Sequence, residues 1–242
     1  MVKAPPGTWE FEDYPFLTGA EFTEVCHNLD RRYCQATLGP VRRQWRLRTC
    51  SSLNTSFTPG SEYSTYIQIV RPLDGDLDDG DLSSYLDNFS FDTTRKDDGT
   101  LMDLGADADM IDAEEADEKP KTTTAGYVTY EIHLHPTYRA PCLWFSLRDL
   151  PVDEQAFNID TVFRRLVPDQ YKDGLRSAGA IGGISADHHP ITGVPTFFIH
   201  PCLLGEAMSG FECSLETYLM VWLGLVGGCV GLWVPKEMAL ES

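Results

Sequence analysis

The most informative run of residues in the chain is His189-Pro-Ile-Thr-Gly-Val-Pro-Thr-Phe-Phe-Ile-His-Pro-Cys202. It contains turn residues at 191–194, and a short apolar strand is predicted to follow at 196–199. Pro201 has no backbone N–H and blocks continuation of a strand ladder, so the chain must leave the sheet there. The thiol of Cys202 is therefore predicted to lie at the boundary of an element, where a reactive cysteine can be reached.

The chemistry of Cys202 by itself leaves more than one interpretation open. A thiol at the end of a strand can act as a nucleophile that forms a covalent intermediate. Most cysteines, however, are small buried hydrophobic residues, and Cys202 fits that description too. A papain-type pair of cysteine and histidine is a third interpretation, because the chain has six histidines. None of them lies in a sequence context that identifies it as a base.

Around this stretch, the sequence predicts an α/β (α+β) architecture built on a four-stranded antiparallel meander with short extra strands. A helix is predicted over 19–34, because Thr18 and Glu21 have capping-box spacing and apolar residues follow at helical intervals. A helix after Asn158 and a last helix over about 206–225 are predicted to pack on the sheet. Alternation of apolar and polar residues predicts the four strands of the meander at 42–49, 63–70, 127–135 and 142–147.

The acidity of the chain is confined to one segment. Of the net charge of −18, −15 lies between Asp74 and Glu118, where 17 acidic residues face only two basic ones. Over 73–124 the apolar residues are isolated and without periodicity, so burial cannot offset the entropy lost on ordering. We therefore predict one domain over 1–242 that carries a long disordered acidic insertion at 73–124, between the second and third strands.

Cysteine usage and apolar segments predict a cytoplasmic protein. The seven cysteines have irregular spacings and form no Cys-x-x-Cys pair, which favours neither a disulfide framework nor a structural zinc site. The first residues lack the apolar core of a signal peptide. Residues 218–234 are uncharged, but four glycines interrupt them and no basic cluster flanks them. We predict that they form a buried helix and a glycine-rich turn, without stable membrane insertion.

Two groups of polar residues allow a metal or a polyanion as alternatives. His133 and His135 share one face of a strand, as two metal ligands could, but a solvated strand face explains the pair better. Four arginines at positions 42, 43, 46 and 48 favour a polyanionic partner, and the charged outer face of an edge strand explains them equally well. We predict no metal, no cofactor and no nucleic acid.

The stretch that ends at Cys202 resembles the active-site region of the E2-like conjugating enzymes of autophagy. The resemblance covers 127–235 well and 18–71 loosely, and it leaves the acidic insertion unmatched. It implies an E2-like fold for the whole domain. Three further blocks carry it, namely Tyr138-Arg-Ala-Pro141, Glu206-Ala-Met208 and the ending Trp222-Leu-Gly-Leu-Val-Gly-Gly-Cys-Val-Gly-Leu-Trp-Val-Pro235.

The resemblance also implies an activity and partners. In the branch of the family that the ending favours, the cysteine corresponding to Cys202 accepts autophagy-related protein 12 as a thioester from the E1-like autophagy-related protein 7. A lysine of autophagy-related protein 5 then attacks the thioester, and an isopeptide bond forms. The resemblance therefore implies a ubiquitin-like protein transferase that works through cysteine and needs no cofactor.

The residues that assist Cys202 are implied less directly. Ubiquitin E2 enzymes carry an asparagine in a His-Pro-Asn motif, whereas no His-Pro pair of this sequence is followed by asparagine. By position, the resemblance implies catalytic roles for Tyr138 and His189, with His188 as a near alternative. The ordinary alternatives are an exposed turn tyrosine for Tyr138 and a pre-proline turn residue for His189.

Two other functions stay open. The lipid-conjugating branch of the same family joins autophagy-related protein 8 to phosphatidylethanolamine, and an acidic flexible region occurs in that branch as well. A non-catalytic adaptor is the alternative from a different class. It would present the acidic insertion to a basic partner, and Cys202 would then be a structural residue.

Overall fold

A six-stranded antiparallel sheet positions the site. The computed structural model describes residues 11–53, 63–73, 126–178 and 183–239. The strands are Arg46–Leu53 (β1), Tyr63–Pro72 (β2), Tyr127–His135 (β3), Ala140–Arg148 (β4), Ile184–His188 (β5) and Pro195–Ile199 (β6). Their order in the sheet is β1-β2-β3-β4-β6-β5. The predicted meander is confirmed as β1 to β4, and β6 extends it because it pairs with β4.

Helices cover one face of this sheet. They are Gly19–Gln35 (α1), Val41–Gln44 (α2), Ile159–Arg165 (α3), Asp169–Ala178 (α4), Leu204–Ser209 (α5) and Tyr218–Val226 (α6). The described residues also form three short 3₁₀ turns, at Pro201–Leu203, Gly227–Val230 and Lys236–Met238. The mixture of helices and an antiparallel sheet confirms the predicted α+β, E2-like architecture. The predicted acidic insertion at 73–124 lies outside the described residues except for Leu73, so its disorder and the single domain over 1–242 stay predictions.

The core lies between the inner face of the sheet and helices α1 and α6. In β3 the apolar face predicted from alternation is inward, and the fully buried Tyr130 donates its hydroxyl to the carbonyl of Val230 at 2.7 Å. Burial of each large apolar side chain contributes about 1.5–3 kcal/mol. Side chains alternate between the two faces of a strand, so the residues between the inward ones lie on the outer face of β3 and β4. They include Glu131, His133 and Cys142.

The predicted start of α1 is confirmed in detail. The Thr18 hydroxyl accepts the backbone N–H of Glu21 at 3.3 Å, and the Glu21 carboxylate accepts the backbone N–H of Thr18 at 2.6 Å. This reciprocal capping box satisfies two backbone donors that the helix itself leaves free. It fixes the point at which the N-terminal segment turns into the first helix.

The strand predicted over 42–49 was wrong in its first half. Residues Val41–Gln44 form a helical turn, and β1 begins only at Arg46. The guanidinium of Arg42 donates to the carbonyls of Tyr33 and Ala36 at 3.0 Å and lies 4.5 Å above the Tyr33 ring. A cation at the C-terminus of a helix satisfies free carbonyls, so Arg42 binds the end of α1.

The last helix predicted over 206–225 was also wrong, because it is two helices. Helix α5 ends at Ser209 and α6 begins at Tyr218. The Tyr14 hydroxyl lies 2.6 Å from the carbonyl oxygens of Met208 and Phe211, where the chain leaves α5. Helix α4 and strand β5 were not predicted at all. The edge strand β5 is half-exposed and has little apolar alternation, so periodicity does not reveal it.

The glycine-rich ending forms the predicted buried helix and turn. Gly231 has φ of 70°, which favours glycine, and a Cβ at Gly227 would lie 2.2 Å from the carbonyl oxygen of Leu232. These glycines let the chain fold back tightly after α6. Within the described ranges, no helix has the length and apolar character needed to cross a membrane.

Candidate active site

Cys202 lies where strand β6 gives way to a helical segment. The strand ends at Ile199, and the 3₁₀ turn Pro201–Leu203 leads directly into α5. The imidazole of His200 caps this turn, since its Nδ1 accepts the backbone N–H of Cys202 at 3.2 Å. The side chain of Cys202 is half-buried. The predicted placement of Cys202 at the boundary of an element is therefore confirmed.

Three of the other thiols have surroundings that disfavour the thiolate. Cys142 is buried on β4, and its thiol donates to the carbonyl of Ile199 at 3.5 Å. Burial raises the pKa of Cys142 to about 12 and that of Cys229 to about 11. Burial also raises the pKa of Cys26, which lies in the core. A thiolate is the nucleophilic form, so these three residues are poor candidates for a nucleophile.

Tyr138 lies at the same end of the strands as Cys202. It belongs to the turn between β3 and β4, is 37% exposed, and packs edge-on against His200 with ring centroids 5.5 Å apart. The strand register explains this proximity, because Leu143 pairs with Ile199 and the preceding turn therefore lies beside the end of β6. The structure thus brings together two of the predicted site residues, Tyr138 and Cys202, through His200.

Two histidines at this end of the strands have the same tautomer. His135 Nδ1 accepts the backbone N–H groups of Thr137 at 3.2 Å and Tyr138 at 3.3 Å, as His200 Nδ1 does with Cys202. Each neutral ring therefore carries its proton on Nε2. Burial lowers the pKa of His135, and the proximity of His200 lowers it further, which favours the neutral ring. We refer to Tyr138, His135, His200 and Cys202 as the Cys202 end of the sheet.

The third predicted site residue, His189, belongs to a different group. Its Nε2 lies 2.9 Å from Oε2 of Glu131, and its Nδ1 faces the backbone N–H groups of Ile191 and Thr192 at 3.3 Å. Nδ1 is therefore an acceptor, and Nε2 donates to the carboxylate. No hydrogen bond or ring contact within the described residues joins His189 to Cys202, Tyr138 or His200. The near alternative His188 is exposed on β5, beside Asp187.

Glu131, His133 and His189 form what we call the Glu131 cluster. One oxygen of Glu131 faces Nε2 of both histidines at 2.9 Å, and the other accepts from Gln68. Burial raises the pKa of Glu131, but the hydrogen bonds from the two histidines outweigh it and hold the pKa well below its usual range. Burial lowers the pKa of His133, although Glu131 opposes that effect. The cluster anchors the turn at 189–194 to strand β3.

The prediction that His133 lies on a solvated strand face was wrong. His133 is only 7% exposed, and the ring of Tyr66 stacks on it with centroids 4.6 Å apart. The physical reason is tertiary, because the turn between β5 and β6 folds over the outer face of the sheet and His189 covers its centre. His135, two residues further along β3, is less buried and belongs to the Cys202 end.

The Glu131 cluster resembles a metal site in composition but not in hydrogen bonding. Its three ligand atoms lie within 4.8 Å of one another. A histidine that binds a metal through Nε2 carries its proton on Nδ1 and donates it to an acceptor. The Nδ1 of His189 instead faces two N–H donors, which is the opposite polarity. The arrangement favours a hydrogen-bonded carboxylate over a bound metal.

Two functional features were not predicted from the sequence. The capping role of His200 has a local signal, since a histidine directly before the first residue of a helical turn can accept a backbone N–H of that turn. The Glu131 cluster has no such signal. His189 is 58 residues from Glu131 along the chain, and only the register of β3 and the fold of the turn at 189–194 bring the two together.

The described residues form an α+β domain with a half-buried cysteine at the junction of a sheet and a helix, which is consistent with the class of E2-like conjugating enzymes. The model of the family described as "Autophagocytosis associated protein, active-site domain" matches residues 21–237. The ubiquitin-like-conjugating enzyme ATG10 of Gibberella zeae is 62% identical over 235 residues, which cover 95% of this chain and 99% of that relative. The chain belongs to the autophagocytosis-associated family, and it is an E2-like conjugating enzyme of autophagy.

Two more distant relatives agree with this assignment. The ubiquitin-like-conjugating enzyme ATG10 of Homo sapiens is 30% identical over 120 residues, which cover 46% of this chain and 53% of that relative. The enzyme of the same name from Arabidopsis thaliana is 28% identical over 123 residues, which cover 47% of this chain and 53% of that relative.

Proposed function

We propose that the protein accepts autophagy-related protein 12 from the E1-like autophagy-related protein 7 on Cys202 and transfers it to a lysine of autophagy-related protein 5, in the cytoplasm. The observation that carries the proposal is the half-buried Cys202 at the end of β6, in a chain that is 62% identical to an ATG10 enzyme. Tyr138 supports the proposal because it is the residue that the resemblance implies and it lies beside His200.

The proposed reaction has two acyl transfers. The Cys202 thiolate attacks the C-terminal glycine thioester on the E1-like protein. The new S–C bond forms as the old one breaks, and the E1 cysteine leaves as a thiolate. The lysine amine then attacks the Cys202 thioester, and the N–C bond forms as the Cys202 thiolate leaves. The amine loses its proton in this step, so the site must offer or admit a proton acceptor.

The tetrahedral intermediate of each transfer carries an oxyanion. A hydrogen-bond donor near that oxygen lowers the barrier, and loss of one such donor typically costs about 10²–10³ in rate. In our proposal the Tyr138 hydroxyl supplies or orients this donor. The catalytic role predicted for His189 stays a prediction that its contacts do not favour, because both of its ring nitrogens face other partners.

A thioester assay tests the proposal. The protein is incubated with the E1-like protein, ATP and autophagy-related protein 12, and the products are separated on a non-reducing gel. We expect an adduct that reductant removes and that is absent in Cys202→Ala. Cys202→Ser is expected to form an ester that survives mild reductant, which identifies residue 202 as the attacking group.

The same assay separates the alternatives. A preference for autophagy-related protein 8 over protein 12 would move the assignment to the lipid-conjugating branch. Transfer is then followed with autophagy-related protein 5 or with phosphatidylethanolamine vesicles as the acceptor. An absence of any adduct on Cys202 would contradict the proposal and favour the adaptor.

A further inference from the structure

The segment before α1 contacts the turn that carries Tyr138. We call residues 13–17 the N-terminal strap. The backbone N–H of Leu17 donates to the carbonyl of Arg139 at 2.7 Å, and Asp13 forms an ion pair with the Arg139 guanidinium at 3.0 Å. Arg139 has φ of 47°, an uncommon value for a residue with a side chain, so this turn needs support from its surroundings.

The N-terminal strap also contacts the helix that follows Cys202. The ring of Phe16 packs against Gly205, where an added Cβ would lie only 2.9 Å from Cε1 of Phe16. The Tyr14 hydroxyl lies 2.6 Å from the carbonyls of Met208 and Phe211, at the other end of α5. The strap therefore touches α5 three residues after Cys202 and again where the helix ends.

The N-terminal strap is itself attached to the core. The hydroxyl of Tyr218 donates to the carbonyl of Pro15 at 2.7 Å, and Leu17 is fully buried. Because the strap contacts the core, the Tyr138 turn and α5, it fixes the turn and α5 relative to the core. Tyr138 and Cys202 lie on different elements, and β4 and β6 pair over only three residues beside them. The strap provides a second, independent connection between the two.

We propose that the N-terminal strap sets the position of Tyr138 relative to Cys202 for thioester transfer, with Phe16 and Gly205 as positioning residues. The inference rests on the proposed function, in which Tyr138 assists the attack on a Cys202 thioester. Rates of reactions between held groups depend steeply on geometry, and a displacement of about 1 Å can cost about 10²-fold. A glycine at position 205 lets the strap lie close enough to α5.

The experiment substitutes Gly205→Ala in the full chain and separates loading from discharge. Thioester formation is measured against the concentration of the E1-like protein, and the preformed thioester is then discharged onto free lysine in a single turnover. We expect the discharge rate to fall at least tenfold. The KM for the E1-like protein and the melting temperature are expected to change little.

Two further variants distinguish positioning from a general loss of stability. Gly224→Ala is the matched control, because this helical glycine has open space around it, and its discharge rate is expected to equal that of the unmodified chain. Phe16→Leu combined with Gly205→Ala is expected to recover most of the discharge rate, since the shorter side chain makes room for the new methyl group.

Each outcome bears on the inference. Discharge by Gly205→Ala at the unmodified rate would overturn it. A discharge rate that falls only in parallel with the melting temperature, without recovery in the double variant, would overturn it too and leave a purely structural role. Failure of the unmodified chain to form any thioester is a different result, because it contradicts the proposed function itself.

Discussion

The Cys202 end and the Glu131 cluster are neighbouring regions of one sheet and use similar residues for different purposes. In the Glu131 cluster, both ring nitrogens of His189 are engaged and two histidines face one carboxylate. At the Cys202 end, Nδ1 of His135 and His200 is engaged, while no hydrogen-bond partner among the described residues faces their Nε2 atoms. The polar groups of the Glu131 cluster are buried and hydrogen-bonded, so this region stabilises the fold. The side chains of the Cys202 end are partly exposed, so they can contact reactants.

The largest expected difference between the two regions concerns thiol reactivity. Cys142 lies under the outer face with a pKa raised by burial to about 12, so at pH 8 only about one molecule in ten thousand carries its thiolate. Cys202 is half-buried and open to reagents. Brief iodoacetamide treatment, followed by peptide mass spectrometry, is expected to modify Cys202 at least a hundredfold faster than Cys142. Equal labelling of the two would remove the distinction between the regions.

A pair of tyrosines, one from the Cys202 end and one beside the Glu131 cluster, provides the next test. Tyr138→Phe removes a hydroxyl of the Cys202 end, and we expect transfer to the acceptor lysine to slow at least tenfold while thioester loading is retained. Tyr66→Phe is the matched variant, since its ring stacks on His133 in the Glu131 cluster. We expect it to transfer normally in the same single-turnover assay. A loss of equal size in both variants would mean that transfer depends on both regions.

Removal of the central carboxylate addresses the Glu131 cluster. Glu131→Ala leaves the donors of His133, His189 and Gln68 without their acceptor, and each buried unsatisfied group costs about 1–3 kcal/mol. We expect the free energy of unfolding to fall by about 2–3 kcal/mol in a urea titration. The rate of the chemical step, measured below the unfolding transition, is expected to stay within twofold. A transfer rate that collapses while the protein stays folded would show that the cluster takes part in catalysis.

The smallest expected effect is a pH dependence of stability. Burial gives His133 a folded-state pKa below its unfolded value, so the unfolded chain binds more protons as the pH falls below about 6.5 and stability declines. Glu131 also has a lowered folded-state pKa, so a further decline begins near pH 4.5. Melting curves between pH 8 and pH 4 are expected to show this fall, and Glu131→Gln is expected to flatten its acid part. A melting temperature that rises on acidification would contradict the assignment.

Much of the fold could be predicted because its signals are local. The capping box at Thr18 and the alternation over 127–135 depend on neighbours in the chain, and both are confirmed. The errors lie where tertiary contacts override the pattern. Arg42 binds the end of α1 instead of continuing a strand, and Tyr14 binds the carbonyls at the end of α5, where the predicted last helix is broken. The edge strand β5 has too few apolar residues to reveal itself.

The family, the meander of the sheet and the position of Cys202 at the end of a strand could all be predicted from the amino-acid sequence. Apolar periodicity, proline geometry and the His-Pro-Cys block are properties of consecutive residues. Which side chains lie near Cys202 depends on contacts between residues that are distant in the chain. Tyr138 joins it because of the pairing of β4 with β6, and His189 is held by Glu131 instead. The physical reason is that hydrogen-bond partners 58 residues apart are chosen by strand register and by the fold of a turn, which no local pattern records.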